Sequence, residues 1–197
     1  MRLVVFLLVI GSALVPSIAT ANTESPVGKT LLAVGSVMAT NESNDRKLRR
    51  RSPVFQVDKI TTASSSNAQF SMIDGGLITL KEDSELLISG YRLGTASDDS
   101  SATLDLVRGG LRSISGSIKK QGGDYKVNTP VGTIGIRGTH FQVEISGDDV
   151  VFAVWEGDID VAMDNRDVVS LGVNEDFAFA KISNSGEITP LTVAPEG

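Results

Sequence analysis

Ala68-Gln69-Phe70-Ser71-Met72-Ile73-Asp74-Gly75-Gly76-Leu77-Ile78-Thr79-Leu80 is the stretch whose reading decides the fold class. Ala68, Phe70 and Met72 alternate with Gln69 and Ser71, a period of two that marks a strand with one apolar face. Asp74-Gly75-Gly76 then supplies a turn, because glycine adopts positive φ at no steric cost. Leu77 to Leu80 resumes as a second strand, so the segment predicts a β-hairpin.

Working outward, the same signature recurs. Thr30 to Thr40 reads as a strand bent at Gly35, since a glycine inside a strand pattern marks a bulge or a close backbone approach. Val54, Gln56 and Asp58 alternate with Phe55, Val57 and Lys59. Downstream, short runs lie at Glu85–Ser89, Leu104–Val107, Leu111–Ile114, Tyr125–Asn128, Thr133–Ile136, His140–Ile145, Val150–Trp155, Asp158–Met163, Val168–Leu171 and Phe177–Ile182. Thr95 to Ser101 is small and acidic and reads as a loop. No segment keeps a helical apolar stripe for three turns. About ten or more short strands at close spacing predict an all-β protein. The expected form is an irregular β-sandwich, jelly-roll-like or solenoid-like. No repeat has fixed landmark residues, which disfavours a regular solenoid.

The first residues read as a secretory leader. Arg2 precedes the apolar run Leu3 to Ile10, and Ala19-Thr20-Ala21 offers a cleavage site. Cleavage after Ala21 leaves one domain at 22–197 and a periplasmic or secreted protein. No later segment reaches the ~18 consecutive apolar residues of a membrane span. The chain has no cysteine. That removes thiol catalysis, cysteine zinc sites and disulfides, so core packing alone must hold the fold. The formal charge is −6, and losing Arg2 with the leader makes it more negative. Such a chain is a poor generic binder of nucleic acid.

Candidate chemistry is sparse. His140 is the only histidine, so a histidine metal site is impossible and a Ser–His–Asp triad would have to use it. No nucleophile elbow, zinc-protease helix or phosphate-binding loop is present. Asp98-Asp99 and Asp148-Asp149 match no calcium-loop signature. Nothing in the sequence calls for a metal or a cofactor. Trp155, the only tryptophan, is followed by Glu156. That pair lines a sugar-binding surface if it faces solvent, whereas an isolated tryptophan at a strand end more often packs into the core. Arg46, Lys47, Arg49, Arg50 and Arg51 surround Leu48. They form a basic patch for anionic groups, or the solvated flank of a strand. Arg137, between Gly135 and Gly138, either meets an acidic partner or pairs with an internal acid to fix a corner. Gly132, Gly135 and Gly138 suit close backbone approach, and Pro130 belongs at a strand edge.

Three stretches together resemble the FecR family of bacterial envelope proteins. The first is Arg49 to Thr62, with Asp58-Lys59-Ile60-Thr61-Thr62 similar to that family's Asp-x-Ile-x-Thr element. The second is the hairpin Ala68 to Leu80. The third is Leu106-Val107-Arg108-Gly109-Gly110-Leu111, then Tyr125-Lys126-Val127-Asn128-Thr129-Pro130, then Ile134-Gly135-Ile136-Arg137-Gly138-Thr139-His140-Phe141. The resemblance covers about 54–155. It implies an all-β, non-catalytic module that binds another envelope protein as a signalling or scaffold element. The namesake members are single-pass sensors, whereas this chain looks like the stand-alone exported members. The expected partner surface is Arg46, Arg49, Arg50 and Arg51 with Asp74 and Arg137. The alternative is a carbohydrate-binding module for peptidoglycan or exopolysaccharide that uses Trp155 and Glu156.

Overall fold

A computed structural model describes residues 25–42, 44–95, 99–163 and 167–195. The leader at 1–21 and Asp98 lie outside the described residues. The chain alternates between two sheets. β1 (Gly28–Val34) lies in the first sheet, β2 (Val37–Asn41) and β3 (Asn44–Lys47) in the second. β4 (Pro53–Val54) returns to the first and β5 (Lys59–Thr62) to the second. From there the chain moves mostly in hairpins. β6 (Asn67–Met72) and β7 (Leu77–Leu80) belong to the first sheet, β8 (Glu85–Arg92) and β9 (Ser101–Arg108) to the second. β10 (Gly110–Ile114) is in the first. A single helical turn, α1 (Ser117–Lys120), leads to β11 (Asp124–Thr129) and β12 (Gly132–Ile136) in the second. β13 (His140–Ser146) and β14 (Asp149–Glu156) are in the first, β15 (Asp158–Met163) and β16 (Val168–Gly172) in the second. β17 (Phe179–Ser183) and β18 (Ile188–Pro190) close the first.

Each sheet has nine strands, ordered 18-17-14-13-10-7-6-1-4 and 16-15-12-11-9-8-5-2-3. Sequence order runs almost monotonically along both sheets. The result is an irregular sandwich that advances like a solenoid, as the short-strand pattern predicted. Pairing among these strands is antiparallel except for β9 with β11. That exception follows from the α1 crossover, which lets the chain re-enter the same sheet in the same direction.

The period-two pattern builds the core. Ala68, Phe70 and Met72 of β6 and Ile78 and Leu80 of β7 point inward and are buried. They meet Leu104 and Leu106 of β9, Val127 of β11 and Ile134 of β12 in one apolar cluster that runs from Val27 to Ile182. The hairpin has the expected register, Ala68 opposite Leu80 and Phe70 opposite Ile78. The run Thr30–Thr40 is corrected: it is two strands in different sheets. Gly35, at φ 73°, turns the chain from one to the other, and a side chain there would collide with Ser66.

That corner is representative. Among the described residues the chain changes sheet ten times. Nine of those connections contain a residue with positive φ: Gly35, Arg51, Val57, Ser65, Asp83, Gly109, Gly122, Gly138 and Gly157. Crossing between stacked sheets, ~10 Å apart, in a few residues demands a sharp reversal that the β region does not supply. Val57 is the costliest occupant, because a β-branched residue is strained at φ 57°. It is also exposed, so replacing it forfeits little packing. Val57→Gly should raise stability by about 1 kcal/mol. Gly109→Ala should lower it by roughly 2 kcal/mol, since an added Cβ meets Ser84 as well as an unfavourable φ. Urea unfolding midpoints measure both, and a Val57→Gly protein less stable than the parent would contradict the corner argument.

Candidate functional site

The expected site residues divide into those the fold consumes and those it leaves free. Arg46 is consumed. On β3 it reaches Asp58, whose side chain is fully buried, at 2.5 Å, and donates to the Pro53 carbonyl at 2.9 Å. Its guanidinium lies 4.9 Å from the Phe55 ring centre. Asp58 also accepts from the Asn41 amide at 3.0 Å and the Phe55 N–H at 2.8 Å. Burying a carboxylate this deep is costly unless it is paired and hydrogen-bonded. Arg46 is therefore a strap across β2, β3 and β4.

Asp74 is likewise turned inward and only 6% exposed, which removes it from the expected partner surface. Its Oδ1 accepts from the Gly76 N–H at 2.9 Å, the local hydrogen bond that makes Asp a good turn residue, and from the Tyr91 hydroxyl at 2.7 Å. Its carbonyl accepts from the Ser117 N–H at 2.8 Å, so the hairpin tip caps the approach to α1. Tyr125 stands edge-on to Tyr91, 6.4 Å between ring centres, with its hydroxyl 3.2 Å from Ser113 Oγ. Arg137 is exposed but paired with Asp160, its Nε donating to Oδ2 at 2.7 Å. Asp160 also accepts from Ser170. The internal-acid alternative holds for Arg137: it fastens β12 to β15 and β16.

Arg49, Arg50 and Arg51 are the free group. All three are exposed, and none makes an ion pair among the described residues. Their corner joins β3, at the edge of one sheet, to β4, at the edge of the other. Its backbone is fixed. Leu48, buried, donates to Val37 at 2.9 Å, Arg51 donates to Thr30 at 2.8 Å, and Thr30 donates back to Ser52 at 2.8 Å. Ser52 closes the turn on Arg49 through its N–H and its hydroxyl. Arg51 sits at φ 73°, where Gly or Asn would be at less cost.

Trp155 is corrected from the core reading: it lies half-buried on the outward side of the first sheet. The Arg112 guanidinium stacks 4.6 Å over its ring, His140 lies 5.0 Å away and Phe179 6.4 Å. Arg112 Nε donates to His140 Nε2 at 2.8 Å, which requires the neutral imidazole. Burial, and then the Arg112 charge, hold His140 below its ordinary value, against a smaller opposing pull from Glu156. Glu156 is exposed at the strand end. Arg112 and Phe179 were invisible as site residues in the sequence. Period two places Arg112 on a solvent face, but only the pairing register brings it beside His140 and Trp155.

The family comparison matches FecR (FecR protein) over residues 58–160. The chain belongs to the FecR family. The matched stretch opens on Asp58, contains the Asp74 turn and ends at Asp160, the partner of Arg137. The arginine corner lies just before it. Among solved structures, two crystal structures of an anti-sigma factor candidate from Parabacteroides distasonis share the fold. One is at 2.50 Å resolution, with 20% identity, and the other at 1.65 Å, with 19% identity. Each has a TM-score of 0.53 and covers 66% of this chain. The chain spans 57% of the length of those proteins. No curated protein matches the sequence. No helix among the described residues is long and apolar enough to cross a membrane.

The Asp74 seat gives the FecR domain a measurable signature. Burial is the main cause that holds both phenols above their ordinary value of 10.0; for Tyr91 the neighbouring Tyr125 and Asp74 add to it. Above pH 10 the unfolded chain releases protons that the folded chain keeps, so stability falls as pH rises past that value. These are the only two tyrosines. Ultraviolet titration of the native protein should show no phenolate step near pH 10, and the step should appear only with unfolding. A reversible native step at that pH would contradict the buried Asp74–Tyr91–Tyr125 arrangement.

Proposed function

We propose that this FecR-domain protein is exported, loses residues 1–21, and acts in the periplasm or outside the cell by binding another envelope protein as a signalling or scaffold module. Its contact centres on Arg49, Arg50 and Arg51. The observation that supports this reading is the corner itself. Three unpaired arginines project from a hydrogen-bonded turn on a chain of charge −6. Arginine is enriched at protein interfaces, and a fixed backbone lowers the ordering cost of using it. Signalling is the first direction to test, because the fold relatives are assigned as anti-sigma factor candidates.

The carbohydrate reading draws less support. Sugar stacking needs an open ring face, and Arg112 lies over Trp155 at 4.6 Å. Capture of crosslinked partners by the tagged protein in its native envelope tests the leading reading. A single envelope protein should be recovered in stoichiometric yield. Arg49→Ser, Arg50→Ser and Arg51→Ser together should reduce that yield at least tenfold with the melting temperature unchanged, as expected for exposed side chains. Undiminished recovery would remove the corner from the interface, and recovery of glycan alone would replace the reading.

A further inference from the structure

The outward side of the first sheet carries a second unspent cation. The register places one rank of residues across seven strands, from Leu32 on β1 through Thr79 and Arg112 to Gln142 and on to Phe179 on β17. Gln142 and Ala153 in this rank are buried, so its open run is Leu32, Gln69, Thr79 and Arg112, three inter-strand steps of ~4.8 Å or about 14 Å, with the exposed Arg112 at its end. Trp155 covers one face of the guanidinium, and Nε is committed to His140. The Nη nitrogens are the remaining donors. Of the other cations on this face, Lys81 is engaged with Glu144 and Lys181 with Asp149, both at 2.9 Å, while Lys29 is exposed at the β1 end.

A groove of about 330 Å³ opens beside Arg112. It is lined by Gln69, Leu77, Thr79, Ile114 and His140 as well as Arg112 itself. Ile114 is 43% exposed and Leu77 is half-buried. A guanidinium held by a stack and a hydrogen bond, with its fork free and an apolar trough alongside, is pre-organised for a carboxylate on an aliphatic neighbour.

We propose that this face is a docking surface for an extended acidic segment of a partner protein, whose carboxylate is clamped end-on by Arg112 and whose aliphatic side chain lies against Leu77 and Ile114. The proposal rests on the protein-binding reading, but it assigns a surface separate from the arginine corner. Charge complementarity selects the occupant: the fork demands an anion, and the covered Trp155 face disfavours a sugar. The segment needs acid and aliphatic side chains two residues apart, because those share one side of an extended chain.

The test uses the purified full chain and a synthetic peptide, Ser-Glu-Ser-Leu-Ser-Glu-Ser-Leu-Ser, with the same peptide carrying Gln for Glu as control. Trp155, the only tryptophan, reports binding through its emission. A saturable change is expected with the acidic peptide and binding at least ~10-fold weaker with the amide peptide, the loss expected for a charge-assisted pair. Arg112→Gln should lose as much, and Arg112→Lys nearly as much, because lysine keeps the charge and lacks the fork. The triple serine variant of the corner should bind the peptide like the parent. Equal affinity for both peptides, no emission change at all, or unaltered binding by both Arg112 variants would overturn this docking site. None of those results would touch partner capture through the corner.

Discussion

Every feature of this FecR domain depends on the sharp reversal by which the chain passes from one sheet to the other. Two sheets that grow side by side from a single advancing chain must be crossed repeatedly. Most crossings here take only a few residues, and nine of the ten contain a left-handed residue. Glycine fills five of those nine positions, but Arg51, Val57, Ser65 and Asp83 fill the others. Non-glycine residues in that region persist only where surrounding contacts over-determine the backbone. The hydrogen bonds around Arg51 show how: neighbouring strands accept and donate at each side of the turn. The same rigidity that makes the corner foldable also makes its arginines a fixed array.

Two buried carboxylates extend this logic inward. Asp58 gathers Arg46, Asn41 and the Phe55 N–H where β3, β4 and β5 meet. Asp74 gathers Tyr91 and Gly76 at the hairpin tip and receives α1 through its carbonyl. Removing Arg46 would leave Asp58 buried without its counter-charge, a loss of roughly 3 kcal/mol or less because Arg46 itself is partly exposed. These acids orient corners. Function is thereby left to the side chains that the corners and sheet faces do not use.

The fold was legible wherever one face of a strand is buried. Ala68, Phe70 and Met72 announced their face by alternation, and Gly75 announced the turn. Gly35 was legible as a bend but not as a change of sheet, because a glycine signals a permitted φ and not the direction taken. Site residues were harder. Arg46, Arg49, Arg50 and Arg51 look alike in sequence, and only the buried Asp58 separates the first from the rest. Asp74 looks like an exposed turn residue until Tyr91, 17 positions away, is folded over it. Trp155 followed the rule for isolated tryptophans poorly, since its neighbours Arg112 and Phe179 arrive through strand register, which a single sequence does not encode.

The arginine corner is the proposed binding surface, and no binding is proposed for the outer face of the second sheet. A photocrosslinking residue placed at Arg50, and separately at the exposed Val107 of β9, compares the two directly in the living envelope. The account predicts one discrete protein adduct from position 50 and none from position 107. Equal adducts from both positions, or none from position 50, would contradict it.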